Sequence, residues 1–354
     1  MISRFKLHRA AGKVRDLGRR LLGRCRPVIV GYRRRRLALA VRHVSGRKAV
    51  DYSPEELVVT CVVRNGSSYL RRYVNYYQKM GVKHIVFLDN GSTDDTLALA
   101  SAFPDVTVLR VDLPYSRYEN LMKDYLAKRF STDRWNLCAD IDELFDYPGS
   151  DRMPLGSFLR YLNERGFTAV VAQMLDMFSD APLAGIVDDG EKPLEEIYRY
   201  YDTSNIAKSE YRWSELSSAD VKMHHGGIRK TMFGTNNGLT KAALVFVGPG
   251  VKLFRDWHHA ENAQVADLTC VLLHYPFNGS FFAKVREAAA SKRYGYFTSD
   301  EYERYWRRLS AEPDLTFPLA GAQRYAGTSA LLDEGFLVAS PRYLDWARSQ
   351  AGSR

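Results

Sequence analysis

The sequence predicts an α/β protein in which a mixed sheet is flanked by helices, with a basic arm before it and a helical tail after it. From residue 54 onward, short apolar runs rich in β-branched residues alternate with amphipathic segments of helical spacing. Turn-forming residues follow several of these runs. The chain has 354 residues, of which 45% are hydrophobic and 26% charged, which is typical of one large α/β domain with additions or of two smaller domains.

Residues 1–50 form the basic arm. They contain sixteen Lys and Arg and one acid, a charge of +15, so the rest of the chain carries −5 of the total +10. Apolar residues such as Leu7, Val14 and Leu21 recur at helical spacing between the basic ones. Such an arm could lie on an anionic membrane surface, remain a solvated tail or contact nucleic acid. We favour the membrane surface and expect no nucleic-acid partner, because no DNA- or RNA-binding module follows.

The cellular location is predicted from what the chain lacks. No stretch approaches the ~18–20 apolar residues that span a bilayer. Arginines interrupt the first residues every few positions, so they do not resemble a secretory signal. The four cysteines, Cys25, Cys61, Cys138 and Cys270, are widely spaced and favour buried reduced thiols. We therefore expect a cytoplasmic protein, held on the inner face of the cell membrane if the arm binds there.

The first elements after the arm predict parallel strands. Continuous apolar runs at 57–63 and 84–89 indicate strands buried on both faces, and a third strand is predicted at 106–111. Between them, 67–81 predicts an amphipathic helix ending at Gly81, and 92–103 predicts a helix capped by Ser92. This alternation implies right-handed crossovers between neighbouring strands.

The later elements are predicted in the same way, and they divide the chain. Helices are predicted at 118–130 and 153–166, and strands at 135–142, 167–178, 243–248 and 268–275. Residues 179–220 suggest a functional loop or a variable insertion. We expect an arm (1–50), a main domain (51–290) with halves at 51–150 and 151–290, and a helical C-terminal extension (291–354).

The strongest chemical signal is the pair Asp140 and Asp142 in ADIDELF, at the end of the strand predicted at 135–142. Ligands of open parallel sheets bind beyond the carboxyl ends of the strands. In an extended chain, residues two apart point to the same side, so both carboxylates could face one divalent ion. Carboxylate oxygens suit Mg²⁺ or Mn²⁺, which also bind diphosphate oxygens. The alternative is a pair of solvated loop acids, which the buried strand before them disfavours.

A second signal lies in VVRNG (62–66) and VFLDNGSTDDT (86–96), where strand ends lead into helix starts. Asp89 could accept hydrogen bonds from a ribose or a base edge. The alternative is an ordinary βα turn, since this sequence also has good turn chemistry.

Taken together, the run VVTCVVRNGSSYLRRYVNYYQKMGVKHIVFLDNGSTDDT and the later ADIDELF resemble family-2-type glycosyltransferases of the GT-A fold, which is Rossmann-like. More narrowly, they are similar to a bacterial group with the phrases R-N-E, D-N-x-S-x-D-x-T and D-x-D-E-F/L. The resemblance makes 51–150 a donor half and 151–290 an acceptor half. Gly66 departs from the group, in which many members carry Glu.

The resemblance also implies roles for single residues. Nucleotide contacts would come from Arg64, Asn65, Asp89 and Asp140. The metal ligands would be Asp140, Asp142 and His274, with Asp142 as the principal one.

Two further features concern the diphosphate and the acceptor. In HHGGIRKTMFG (224–234), Arg229 and Lys230 suit a diphosphate or an anionic acceptor, although an ordinary basic loop is the alternative. His258 and His259 could serve the acceptor side, or form a surface pair. For the catalytic base that the resemblance implies, we favour Asp176 at a predicted strand end. Two rivals are Asp180 and Glu261.

The predicted function is a metal-dependent glycosyltransferase that uses a UDP- or GDP-sugar and Mn²⁺ or Mg²⁺. The resemblance implies inversion at the anomeric carbon, and the expected acceptors are envelope glycans, lipid-linked or polysaccharide. One rival is a nucleotidyltransferase, which would be expected to carry a Gly-rich phosphate loop that this sequence lacks. The other rival is a non-catalytic scaffold that binds sugar nucleotides or associates with a membrane.

Overall fold

A computed structural model describes residues 27–350, apart from 187, 189, 254–257, 292, 293 and 295. The predicted helical spacing at 7–22 therefore lies outside the described residues. The strands are β1 (Arg42–Ser45), β2 (Leu57–Val63), β3 (His84–Asp89), β4 (Val106–Arg110), β5 (Trp135–Cys138), β6 (Glu143–Asp146), β7 (Ala169–Asp176), β8 (Tyr200–Tyr201), β9 (Ile206–Glu210), β10 (Glu215–Leu216), β11 (Lys222–Gly226), β12 (Thr240–Phe246), β13 (Gln264–His274) and β14 (Gln323–Arg324). The helices are α1 (27–40), α2 (Ser67–Met80), α3 (Thr96–Ser101), α4 (Tyr115–Phe130), α5 (Leu155–Glu164), α6 (Leu194–Ile197), α7 (Ile228–Phe233), α8 (Phe281–Ser291), α9 (Tyr296–Ala311), α10 (Thr328–Asp333) and α11 (Pro341–Ser349).

The centre of the fold is a ten-stranded mixed sheet. Its order is β1-β4-β3-β2-β5-β12-β7-β13-β10, and β6 also pairs with β13. The predicted α/β fold, a mixed sheet flanked by helices, is confirmed. Within the described residues, no helix combines the length and the apolarity that crossing a bilayer requires.

Strands β2, β3, β4 and β5 are parallel, as predicted, and β1 adds an antiparallel edge beside β4. β2 pairs in parallel with β3 and β5, and β3 pairs in parallel with β4. Every residue of β2 and β3 is buried because helices cover both faces. Leu57, Val59 and Cys61 pack in one core cluster with α2, whereas Val58 and Val62 pack in another with α4. The alternation follows from the two-residue period of a strand.

The second half of the sheet brings distant segments to the same edge. β12 runs antiparallel between β5 and β7, and β13 lies parallel to β7. In this register His274 is the partner of Asp176 on one side and of Glu143 of β6 on the other. The last residues of β7 and β13 and the first residue of β6 therefore meet at one point.

Several predicted elements differ from the observed ones in their bounds, and two of these differences lie close to the motifs. The helix expected at 92–103 begins only at Thr96, because the Ser92 N–H donates to the Asp89 carboxylate and the segment before Thr96 forms a turn. The strand expected at 135–142 ends at Cys138, and a new strand begins at Glu143. Strand β5 ends early because the chain turns at Asp140–Glu143, and the residues from Glu143 onward pair with β13.

The helices after β13 belong to the core of the molecule. Phe233 of α7 and Tyr305 of α9 have ring centroids 4.6 Å apart, and Phe277 lies 4.6 Å from Phe317. Leu309 is fully buried in the same cluster. This aromatic packing holds α8 and α9 beside the carboxyl ends of the strands.

Candidate functional site

A cavity of about 360 Å³ lies beyond the carboxyl ends of β2 and β5. Helix α4 forms one wall, and helices α8 and α9 form another. Among its lining residues are Arg64, Asn90, Tyr115, Glu119, Lys123, Asp140, Asp142, Glu143, Arg229, His258, His274, Lys284, Glu301, Tyr302 and Tyr305. The two aspartates of the sequence motif thus lie in a cleft, at the edge where ligands of such sheets bind.

The two aspartates lie in a turn. The Glu143 N–H donates to the Asp140 carbonyl oxygen at 2.9 Å, which closes a turn over the four residues 140–143. In return, the Asp140 N–H donates to Glu143 Oε2 at 2.8 Å. The extended geometry expected for this pair is therefore wrong, and each carboxylate has its own surroundings.

Asp140 lies against two buried lysines. Lys123 Nζ is 3.2 Å from Oδ1, and Lys241 Nζ is 3.2 Å from Oδ2. The side chains of Lys123 and Lys241 are only 2% and 1% exposed. Burial opposes ionisation of Asp140, but the two ammonium groups outweigh it and hold its pKa well below the usual range. Asp140 in turn raises the pKa of Lys123 well above its ordinary value, against the effect of burial.

Asp142, which is 8% exposed, faces a different set of groups. Lys284 Nζ lies 3.4 Å from its Oδ2, and His274 Nε2 lies 3.8 Å from the same oxygen. The backbone is fixed at this point because the Tyr275 N–H donates to the Asp142 carbonyl oxygen at 2.8 Å. The Asp142 carboxylate therefore has longer contacts with its neighbours than the Asp140 carboxylate has.

Asp176 orients His274. Its Oδ1 lies 2.6 Å from His274 Nδ1, and its Oδ2 accepts from Arg229 Nε at 2.7 Å. Burial raises the pKa of Asp176, but Arg229 and His274 reverse this and hold it below its ordinary value. A carboxylate can only accept, so the proton lies on Nδ1 and a neutral ring keeps a lone pair on Nε2, on the side of Asp142.

On the other side of the cavity, the two loops predicted to contact the nucleotide are bonded to each other. The Asn65 N–H donates to Ser92 Oγ at 2.9 Å, and Asn65 Oδ1 accepts from the Thr93 N–H at 2.8 Å. Asp89 is fully buried, and its carboxylate accepts from the N–H groups of Gly91 and Ser92. In this structure the hydrogen bonds of Asn65 and Asp89 order the two loops. That these two residues also contact a nucleotide stays a prediction.

Gly66 has a structural explanation. A Cβ at this position would lie 2.7 Å from Val63 Cγ2 and 3.0 Å from Ile141 Cγ1, in the middle of the Asp140–Glu143 turn. Glycine at this position, where many members of the resembling group carry Glu, therefore allows the start of α2 to pack closely against that turn.

A second cavity, of about 480 Å³, adjoins the first. The two share Arg64, Asn90 and Tyr115, and the second is completed by Gly91, Asp112 and the start of α4. Arg64 has a buried Nε without a hydrogen-bond partner. Of the predicted nucleotide-contacting residues, Arg64 is the one that lines both cavities.

The predicted metal ligands differ in how well they fit a cation. The described residues contain no group of three or more His, Cys, Asp or Glu that could hold a metal ion. Asp140 fits poorly because both its oxygens face ammonium groups. Asp142 and His274 fit better, since Nε2 and Oδ2 are 3.8 Å apart and Asp176 orients the ring. Mg²⁺ and related ions often take one or two protein ligands and complete their shell with phosphates and water.

The other predicted residues lie in varied places. His258 lines the cavity, and burial together with nearby Lys241 lowers its pKa to about 3. His259 stacks on Trp213, with centroids 4.3 Å apart. Glu261 forms an ion pair with Lys252 at 3.6 Å. Asp180 and Lys230 are exposed, and neither is among the described residues that line the cavity.

Several residues of the site were not predicted from the sequence. Lys123, Lys241 and Lys284 contact the motif acids, and Glu301 and Tyr302 of α9 line the cavity. The local signal is that Lys123 lies on the buried side of an amphipathic helix and Lys241 lies in an apolar strand. A buried cation requires a buried anion, so this signal could have identified them.

No family model matches this chain. No curated protein matches it either. Among solved structures, S. aureus TarS 1-349 aligns with 15% identity over 38% of this chain and 45% of that chain, with a TM-score of 0.28. A 4-diphosphocytidyl-2C-methyl-D-erythritol synthase aligns with 12% identity over 37% of this chain and 65% of that chain, with a TM-score of 0.25. The chain thus covers less than two thirds of either protein, and at these TM-scores the likeness carries no functional argument.

Proposed function

We propose that this chain is a family-2-type glycosyltransferase that transfers a sugar from a UDP- or GDP-sugar to an acceptor hydroxyl. The observation that supports it best is the pair of adjoining cavities at the carboxyl ends of the parallel strands. In this proposal the nucleoside occupies the cavity beside Asp112 and Tyr115. The diphosphate extends past Arg64 into the cavity that contains Asp142.

A divalent cation, Mn²⁺ or Mg²⁺, would be held by Asp142 and His274 together with the diphosphate. When bound, it would neutralise charge that develops on the departing nucleoside diphosphate. Asp176 would keep the His274 ring oriented through Nδ1, and Arg229 would hold Asp176 in place. We predicted Asp176 as the catalytic base. Its contacts favour a positioning role, because both its oxygens already accept hydrogen bonds.

The acceptor side would be formed by the second half of the domain and by α9. Glu301 is 19% exposed in the cavity and lies 3.6 Å from Arg229. It is a carboxylate that an acceptor hydroxyl could approach. Envelope glycans, lipid-linked or polysaccharide, are the acceptor class we propose, with inversion at the anomeric carbon.

The experiment is a donor screen followed by product analysis. The purified chain is mixed with UDP- and GDP-sugars and Mn²⁺, binding is measured by thermal shift, and phosphate products are identified by ³¹P NMR. A glycosyltransferase releases nucleoside diphosphate, by slow hydrolysis even without an acceptor. A parallel reaction with UTP or GTP and a sugar 1-phosphate tests the nucleotidyltransferase, which would form a nucleotide-sugar and release pyrophosphate. Binding without any product, even with a panel of glycan acceptors, would favour the non-catalytic scaffold.

Asp142→Asn provides the matched test of the site. It removes the charge and keeps the shape, so nucleoside diphosphate release should fall while the melting temperature stays close to that of the wild type. Asp180→Asn is the control, since Asp180 is exposed and outside the cavity. Equal activity of folded Asp142→Asn and wild-type protein would contradict the proposal.

A further inference from the structure

We propose that Lys123 is a donor-binding residue whose ammonium group contacts the donor diphosphate, and that Lys241 keeps Asp140 out of the metal shell. The divalent cation then binds to Asp142 and His274 together with the nucleotide, and only weakly without it. This inference rests on the proposed function and assigns a new role to two buried lysines.

The two lysines differ in their surroundings. Lys241 has two close acceptors, Glu143 Oε2 at 2.7 Å and Asp140 Oδ2 at 3.2 Å, and it is not among the cavity-lining residues described. Lys123 lines the cavity, and beyond Asp140 its other acidic partner is Glu119 at 3.4 Å. Lys241 is therefore a fixed support under the turn, whereas Lys123 can exchange a loose contact for a phosphate oxygen.

The charges around the cavity nearly balance. The cations are Arg64, Lys123, Arg229, Lys241 and Lys284, and the acids are Glu119, Asp140, Asp142, Glu143, Asp176 and Glu301. A divalent cation alone meets ammonium groups beside both motif aspartates. A diphosphate alone meets the carboxylates. When both enter together their charges cancel, so each should increase the affinity for the other.

The test is a Mn²⁺ titration followed by electron paramagnetic resonance, with and without UDP or GDP, on the full chain. In the wild type, we expect UDP or GDP to strengthen Mn²⁺ binding by at least about tenfold. In Lys123→Gln, one Asp140 oxygen loses its ammonium partner, so Mn²⁺ alone should bind several-fold tighter. The same variant should bind the Mn²⁺–nucleotide pair about tenfold more weakly, because a charged hydrogen bond is lost.

Two further variants keep the result interpretable. Lys128→Gln lies on the same helix, pairs with Asp124 and is 50% exposed, so it should behave like the wild type. Lys123→Arg retains a cation and should restore nucleotide binding if Lys123→Gln folds poorly. Opposite shifts in the two Mn²⁺ affinities support the inference. If folded Lys123→Gln matches Lys128→Gln in both, the inference is wrong while the proposed function stands. If neither nucleotide binds the wild type, the proposed function itself fails.

Independently, we infer that the outward face of α1 binds an anionic phospholipid surface. Val28, Tyr32 and Leu39 are 73%, 64% and 87% exposed. At 3.6 residues per turn they fall within about 40° of one another around the helix. Exposed Arg35 and Arg36 flank this stripe on either side. An apolar stripe between arginines is the pattern of a helix that lies in the lipid interface.

The opposite face of α1 fixes this stripe relative to the catalytic cleft. Leu37 is buried with Tyr118 and Met122 of α4, and Arg34 lies 3.3 Å from Asp124 of the same helix. Helix α4 carries Lys123 on its cavity side. Residues 27–40 also contain four arginines and no acid, which favours a negatively charged surface.

Vesicle flotation of the full chain tests this second inference. The vesicles contain phosphatidylglycerol and phosphatidylcholine, or phosphatidylcholine alone. We expect binding to the anionic vesicles, and a loss of about tenfold when Val28, Tyr32 and Leu39 are all changed to Ser. Ala38→Ser, an exposed change outside the stripe, is the control. Unchanged flotation of the triple variant, or tighter binding of duplex RNA than of vesicles, would overturn it.

Discussion

Asp140 and Asp142 are two residues apart in one turn, yet their carboxylates occupy different environments. Asp140 lies between two lysines that are almost wholly buried. Asp142 lies beside one half-exposed lysine, Lys284, and beside His274, whose ring is oriented by the Asp176 carboxylate. The difference shows that a two-aspartate motif need not present two equivalent metal ligands. One carboxylate can support the turn while the other faces the ligand.

The largest difference between Asp140 and Asp142 is expected in enzymatic activity. We expect Asp142→Asn to lower kcat by about 10³-fold, the usual cost of removing a group that stabilises developing charge. Folded Asp140→Asn should lose less, because its oxygens face lysines. Nucleoside diphosphate release at saturating donor provides the measurement. An equal loss in both variants would remove the distinction.

Stability should show the reverse order. Asp140→Asn leaves Lys123 and Lys241 facing a neutral amide, which should cost about 3 kcal/mol of unfolding free energy. We take the low end of the range for buried pairs because the Asp140 side chain is 32% exposed. Asp142→Asn should cost less, because its ammonium partner Lys284 is 38% exposed and can be hydrated once the carboxylate charge is removed. Urea unfolding of both variants gives the comparison, and a larger cost for Asp142→Asn would contradict it.

The stability of the protein should depend on acidic pH through a histidine in the sheet, away from the two aspartates. Burial lowers the pKa of His84 in β3 to about 4, so the folded state resists protonation that the unfolded chain accepts below about 6.5. The stability linked to the neutral His84 ring is complete above pH 6.5 and is lost as the pH falls toward 4, at a cost of about 3 kcal/mol. His84→Gln should flatten this part of the pH–stability curve. An unchanged slope in His84→Gln would count against the assignment.

The smallest expected effect is on stability, and it concerns the loop after β3 that Asn65 holds in place. Asn65 adopts a positive φ of 52° and holds the loop after β3 through two hydrogen bonds. Asn65→Ala should lower stability by about 1 kcal/mol, because the bond to Thr93 is lost and the conformation is strained. Thermal unfolding measures this change, with Asn65→Gly as the variant that tolerates the backbone. A larger loss in the glycine variant would contradict the account.

The parallel half of the sheet was predictable because its signals are local. The strands at 57–63 and 84–89 match their predicted bounds, since buried parallel strands have continuous apolar sequences. The turn at Asp140 was not predictable in the same way. It depends on pairing between Glu143 and His274, more than a hundred residues apart. The lysines of the site likewise come from α4, β12 and α8, and only the folded chain brings them together.

The measurement that tests this account most directly is a crystal structure with Mn²⁺ and the nucleoside diphosphate that the donor screen identifies. Anomalous scattering would locate the ion. We predict that Asp142 and His274 Nε2 would hold the ion, with Lys241 still on Asp140 and Lys123 against a phosphate. An ion coordinated by Asp140 with both lysines displaced, or a nucleotide bound outside the two cavities, would contradict the account.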